Sequence, residues 1–345
     1  MKILVIQTAF IGDVVLTTPF LAAVRERWPL AEINVVATPQ GCEILAGLPG
    51  LRCHALDKRR TGTIRGFKRI LASLGRTTEF DIVFSVHRSL RSLALGKKVR
   101  AKRRVAFRSF WSKFFRYETV PYPSYSENTH YVDKPMRLLK AEGEKTGTPR
   151  PQLVCSESEI ESAQQMLKKL QTERGYIVLS PFSVWGTKMW FADRFAQLGV
   201  EVARRYSLPV VIVGGGGGAA EAAIGRTIAS RISSGSAKAI TLVGQTNLGE
   251  LKALIRGAKL LVANDSAPVH IAASFNIPTV AIFGPTARKW GFFPLSDESM
   301  VVERTDVSCR PCHLHGPEKC PKGHFRCMND IQVEDVVQAV QNLLR

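Results

Sequence analysis

The chain of 345 residues has no apolar run of the ~20 residues needed to cross a bilayer, so no membrane-spanning helix is expected. No secretory leader is expected either. The opening MKILVIQTAFIGDVVLTTPF is broken by Gln7, Gly12 and Asp13, no small-residue cleavage site follows, and the cytoplasm is the expected compartment. There is no Walker loop and no GxGxxG turn at the first strand, so neither ATP hydrolysis nor dinucleotide binding is implied. Paired acids of the kind that cleave glycosides are not evident either. Acids are scarce altogether: 29 Asp and Glu stand against 48 Lys and Arg, a formal net charge of +19. The deficit is local. Residues 58–116 hold 18 bases and two acids, Glu79 and Asp81, while the other 286 residues carry only +3. Such density suits a polyanionic partner, whether nucleic acid, anionic membrane or phosphorylated substrate.

What is present reads as a soluble α/β chain of two domains, from its length and its 45% hydrophobic content. Lys2–Gln7 (KILVIQ), Ile33–Ala37 and Asp81–Val86 are short apolar runs of the kind buried in a parallel sheet. A helix between the first two opens near Gly12 or at Thr18-Pro19 and reaches Arg27. Between Pro121 and Pro151 the texture turns to Tyr, Pro, Ser and charge, with one helical stretch near Tyr131–Lys140. After a helix at Glu157–Leu170, strands recur at Tyr176–Ser180, Val210–Val213, Ile240–Val243, Leu260–Ala263 and Thr279–Phe283. Helices at Asp193–Tyr206, Glu221–Ile232 and Leu248–Gly257 separate them. The expected division is 1–155, 156–330 and a terminal helix at 331–345. Ligands should bind beyond the carboxyl ends of the strands, in a cleft between the halves.

Four segments carry chemistry. Asp13, beside Gly12 after the first strand, can take a proton from a hydroxyl or simply cap a helix. The loop after YIVLS offers Ser183, Thr187 and Lys188 to a phosphate. Gly214–Gly218, with Glu221 beyond, lets a ligand approach the main chain or forms an ordinary loop. Asp265, Ser266 and Ala267 fall where a strand ends and a helix begins, so free N–H groups there can hold a diphosphate. His270 lies one turn on.

The blocks IGDVVLTTP, TKMW and NDSAPVHIAASFNIPTVAIFGPT together resemble the ADP-heptose:lipopolysaccharide heptosyltransferases, glycosyltransferase family 9, over nearly the whole chain. The resemblance implies a GT-B fold: two Rossmann-like domains whose parallel sheets face a central cleft, acceptor on the first and ADP-sugar on the second. It implies inverting transfer of heptose from ADP-heptose to the lipopolysaccharide inner core, with no cofactor required for catalysis. By position, Asp13 matches the base, Lys188 the phosphate lysine and Ser183 the first hydroxyl of its loop. Asp265, Ser266, Ala267 and His270 match diphosphate and sugar contacts, and Glu221 an acid near the adenosine. Val184 and Phe191 depart from the family's usual hydroxyl and proline. HRSLRSLAL, after DIVFSV, resembles the enzymes adding the second heptose, onto heptosyl-Kdo2-lipid A, more than those adding the first.

The seven cysteines argue against a disulfide framework, with Cys42, Cys53 and Cys155 expected as thiols. Cys309, Cys312, Cys320 and Cys327, interspersed with His313, His315 and His324, leave open a structural zinc or iron or reduced, packed thiols. A related branch, the autotransporter heptosyltransferases, is similar in having a four-cysteine iron site. Two rival functions remain: transfer from another nucleotide sugar, and nucleic-acid binding through the basic segment and Phe107, Phe110, Trp111, Phe114 and Phe115. No nucleic-acid motif accompanies those aromatics, so no nucleic-acid partner is expected. The charge fits better a lipid A-core acceptor at the anionic inner face of the inner membrane. Arg88 and Arg91 are the candidate acceptor contacts. The stretch Lys97–Arg104 is expected to serve acceptor or membrane binding, and the aromatics at 107–115 to dock the protein on the membrane.

Overall fold

The computed structural model describes residues 1–75, 77–124, 130–142, 148–170, 172–215, 218–235 and 237–344, without the side chains of 58–61 and 140–142. The chain divides into two compact units, Met1–Val154 and Cys155–Arg345.

The first unit alternates strand and helix: β1 Lys2–Ile6, α1 Ile11–Val15, α2 Thr18–Arg27, β2 Glu32–Ala37, α3 Pro39–Ile44 and β3 Leu51–Ala55. There follow α4 Lys58–Ser73, β4 Phe80–Ser85, α5 Leu90–Lys98, β5 Ala101–Phe107, α6 Phe110–Phe114, β6 Glu118–Val120 and α7 Asp133–Met136. The strands form one parallel sheet in the order β3-β2-β1-β4-β5-β6. β1 is central because Ile3, Leu4, Val5 and Ile6 are apolar on both faces, and none has any exposed surface. Both expected helix starts occur: α1 opens at Ile11, and α2 restarts at Thr18 with Pro19 in its first turn. Near Tyr131–Lys140 the regular helix is shorter than expected, with a 3-10 turn, Arg137–Glu142, after α7.

Two features of this unit correct the sequence reading. Cys42 and Cys53 form a disulfide with their Cα atoms 5.5 Å apart. α3 leaves the end of β2 and β3 pairs with β2, so two thiols eleven residues apart meet. Also, β5 was hidden by its charges. Lys102 pairs with Asp81 at 2.7 Å and Arg103 with Glu118 at 2.8 Å. Arg104 donates to the carbonyls of Gly96, Val99 and Ala101 at 3.1, 2.6 and 3.1 Å. Part of the basic block is therefore spent on holding the sheet edge together.

The second unit comprises α8 Glu157–Leu167, β7 Ile177–Ser180, α9 Ala192–Tyr206, β8 Val210–Ile212, α10 Gly218–Ser233, β9 Ala239–Thr241 and α11 Leu248–Arg256. It closes with β10 Leu260–Asn264, α12 Ala267–Ser274, β11 Thr279–Phe283, β12 Ser299–Glu303, α13 Arg326–Asn329 and α14 Val333–Leu343. Its parallel sheet runs β12-β11-β10-β7-β8-β9. Capping boxes start α8 at Ser156/Glu159 and α11 at Asn247/Glu250. Val333, Val336 and Val340 of α14 join the core under Phe195, Leu198 and Val202 of α9. In both units strand order reverses at the middle pair, β1/β4 and β7/β10. That is where a doubly wound sheet opens a crevice for ligands.

Candidate active site

In the first unit, the turn carrying Asp13 leaves the carboxyl end of β1. Buried Gln7 donates its Nε2 to Thr17 Oγ1 at 2.8 Å, and Thr17 Oγ1 donates to the Asp13 carbonyl at 2.7 Å. These bonds fix the turn and leave the Asp13 side chain half-buried on α1. On the adjoining strand end, β4, His87 Nδ1 lies 3.0 Å from Thr8 Oγ1, 3.2 Å from Ser92 Oγ and 3.3 Å from Ser89 Oγ. Arg88 is exposed, its guanidinium 4.0 Å above the Tyr122 ring, and Arg91 is exposed on the first turn of α5. Since β1 and β4 are parallel neighbours, Asp13, His87, Arg88 and Arg91 all belong to segments that follow strands at one edge of one sheet.

In the second unit, the sequence-predicted Lys188, Asp265 and His270 converge. Lys188 Nζ is 2.7 Å from Asp265 Oδ2, with both side chains largely buried, and Thr286 Oγ1 donates to the same oxygen at 2.7 Å. Asn264 joins the two loops, accepting from the Trp190 N–H at 3.0 Å and donating to the Pro181 carbonyl at 2.8 Å. His270 is 4% exposed, and its Nδ1 is buried without a hydrogen-bond partner. Burial foremost, against the pull of Asp265 and with the push of Lys188, lowers its pKa to about 4. The imidazole is therefore neutral at pH 7. Ser266 stands at the N-cap position of α12 without a side-chain capping bond, its hydroxyl donating back to the Asn264 carbonyl at 3.1 Å, and Ala267 opens the helix. Ser183 accepts from the Trp185 N–H at 3.4 Å. Glu221 stands on a different loop, half-buried in the first turn of α10. Gly214 is needed by packing, since a Cβ there would lie 2.3 Å from the Phe182 ring; Gly216 and Gly217 lie outside the described residues.

The cysteine-bearing segment lies across the same site. Thr187 Oγ1 donates to the Pro317 carbonyl. Gly316, at φ +83°, leaves room where a Cβ would crowd Lys188 Cγ at 3.1 Å. His315 stacks on Trp185 with ring centroids 6.4 Å apart, and burial, then Lys188 and His313, lowers its pKa. Thr286, His315 and Asn264 were missed as site residues. Thr286 and Asn264 stand at the two ends of NDSAPVHIAASFNIPTVAIFGPT, whereas His315 has no signal but its place among the cysteines. The four thiols lie within electrostatic reach of one another, Cys309, Cys312 and Cys320 all acting on Cys327. Among the described residues no three His, Cys, Asp or Glu side chains are grouped to hold an ion. Cys309 Sγ is 3.7 Å from His324 Nε2, while burial raises the Cys312 thiol and pushes Cys327 up to about 11.

A buried ammonium, two hydroxyls, a neutral imidazole and a helix N-terminus are groups of the kind that can bind a diphosphate.

Known proteins resemble this chain along nearly its whole length. The chain is 23% identical over 346 residues to lipooligosaccharide heptosyltransferase 2 of Campylobacter jejuni subsp. jejuni serotype O:2, covering 100% of this chain and 99% of that protein. The glycosyl transferase family 9 structure from Veillonella parvula DSM 2008 superposes with a TM-score of 0.81 at 24% identity, over 99% of this chain and 97% of that one. E. coli ADP-heptose lps heptosyltransferase II superposes with a TM-score of 0.79 at 22% identity, over 100% and 98%. The fold is thus GT-B, as the resemblance implied. The model of glycosyltransferase family 9 (heptosyltransferase) matches residues 68–320, and the chain belongs to that family of glycosyltransferases.

Proposed function

We propose that the protein transfers heptose from ADP-L-glycero-D-manno-heptose to the lipopolysaccharide inner core, adding the second heptose to heptosyl-Kdo2-lipid A with inversion. The observation that carries this is the gathering of Lys188, Asp265 and His270 at the amino end of α12, in a chain of this family. The second-heptose step is favoured by relatives named heptosyltransferase 2 and II.

In this account the second unit binds the donor. Lys188, Thr187, Ser266 and the N–H groups opening α12, from Ala267 on, take the diphosphate; Ser183 and Glu221 complete the donor contacts, and neutral His270 faces the sugar side. The first unit binds the acceptor, with Arg88 and Arg91 on its anionic groups. The acceptor hydroxyl oxygen bonds to the anomeric carbon as the bond from that carbon to the β-phosphate oxygen breaks. The hydroxyl proton passes to the Asp13 carboxylate, and ADP leaves with its new charge stabilised by Lys188 and the helix end. These steps use only groups of this chain and need no cofactor. A lipid-linked acceptor puts the reaction at the cytoplasmic face of the inner membrane; no helix among the described residues is long and apolar enough to cross that membrane.

The test is a two-way screen by mass spectrometry: ADP-heptose against UDP-sugars, and Kdo2-lipid A against heptosyl-Kdo2-lipid A. One heptose should be added, from ADP-heptose and onto the heptosylated acceptor. Transfer to Kdo2-lipid A alone would move the protein to the first step. Transfer from a UDP-sugar alone would overturn the donor assignment.

A further inference from the structure

The transfer chemistry leaves one feature of the first unit unused. β5 ends at Phe107, and the chain then turns into α6, where Phe110, Trp111 and Phe114 are 73%, 41% and 65% exposed. One exposed aromatic is ordinary, but a cluster marks a contact surface. These three touch one another: Phe110 lies 5.0 Å from Trp111 and 6.4 Å from Phe114 between ring centroids, and Trp111 lies 6.0 Å from Phe114.

The local structure holds this knob outward. Ser109 caps the helix, its hydroxyl accepting from the Ser112 N–H at 3.1 Å while Ser112 Oγ accepts from the Ser109 N–H at 2.8 Å. Ser112 is fully buried beneath them. On the inner side Phe115 packs against the cluster of Leu93, Ala106 and Tyr117, and the Tyr117 hydroxyl donates to the Leu93 carbonyl at 2.8 Å. The inner face is thus satisfied, and the remaining rings stay in water.

Their surroundings are cationic. Residues 108–116, RSFWSKFFR, contain three bases and no acid, and Arg108, Lys113 and Arg116 are exposed. Rings that rest at the headgroup level, ringed by cations that meet phosphates, match an anionic bilayer surface. Topology adds the position. β1, β4 and β5 are parallel, so α6 leaves the same sheet edge as Asp13, Arg88 and Arg91.

We infer that α6, with Arg108, Lys113 and Arg116, is a docking face for an anionic lipid bilayer, seating Phe110, Trp111 and Phe114 in the interface. The edge that bears Asp13 is thereby held at the surface from which a lipid-linked acceptor is drawn. That benefit to catalysis rests on the proposed function, whereas the binding itself does not.

Co-sedimentation of the full chain with phosphatidylcholine vesicles, with and without phosphatidylglycerol, tests it. The chain should partition onto the phosphatidylglycerol vesicles, and partition should fall about tenfold or more in Phe110→Ser/Phe114→Ser and separately in Arg108→Glu/Lys113→Glu. Both variants should keep the parent's thermal midpoint and its rate on a deacylated, water-soluble acceptor. Equal partition of parent and variants, or none by the parent, overturns the inference. So does a preference for single-stranded oligonucleotide that these substitutions abolish, or a change confined to oligomeric state. Vesicle binding without heptosyl transfer would overturn the proposed function and leave this inference standing.

Discussion

His270 shows at the scale of one residue how burial ties stability to pH. Its imidazole stays neutral in the folded chain down to about pH 4, against an ordinary 6.5. Between those values the unfolded chain binds a proton that the folded chain does not, so stability falls as pH drops through that window and is unaffected above it. From pH 7 to pH 5 this amounts to roughly 2 kcal/mol. Urea unfolding at the two pH values should show that loss in the parent and a smaller one in His270→Gln. An equal loss in both would mean that His270 is not the group being charged. Lys188 and Asp265 were legible in the sequence because each follows a strand end in a recognisable block. Their ion pair, and its sharing with Thr286, was not legible, because it depends on loops 77 residues apart meeting across neighbouring strands.

At the scale of the element, apolar runs announced β1, β2, β4, β7, β10 and β11, and the structure has them within a residue or two. β5 and β3 went unseen because AKRRVAF and LRCHA are edge-ward strands whose polar side chains find partners only after folding. The stretch Lys97–Arg104 is also misjudged by charge alone. It ends α5 and begins β5, at the amino-terminal edge of the sheet, opposite the edge that carries Asp13. Arg104 there caps carbonyls, so it serves the fold. Helix α5 sits against the sheet through Gly96, where a Cβ would lie 2.3 Å from the Tyr117 hydroxyl and 3.1 Å from Ile6 Cδ1. Gly96→Ala should therefore cost about 1–2 kcal/mol in urea unfolding, overcrowding outweighing the gain in helix propensity. Adding Tyr117→Phe, which removes the crowded oxygen, should restore part of it. No cost in the single variant would show that α5 can shift freely.

At the scale of the whole molecule, the charge is a property of one unit. Residues 1–154 hold 27 Lys and Arg against 12 Asp and Glu, or +15, and the rest of the chain carries +4. The basic unit is the one proposed to meet a phosphorylated, Kdo-bearing lipid, while the nearly balanced one is proposed to hold a single nucleoside diphosphate leaving group. The disulfide Cys42–Cys53 lies in the basic unit and the four free thiols of 309–327 in the other, a division the count of seven cysteines could not reveal. The proposed reaction makes Asp13 the base for heptose transfer. Its most direct test is the steady-state rate of ADP release from ADP-heptose with and without heptosyl-Kdo2-lipid A, for the parent and Asp13→Asn. Release that needs the acceptor and falls by about 10²–10⁴ in kcat in the variant, with donor KM little changed, is the predicted result. Acceptor-independent release, or a variant at full rate, would contradict it.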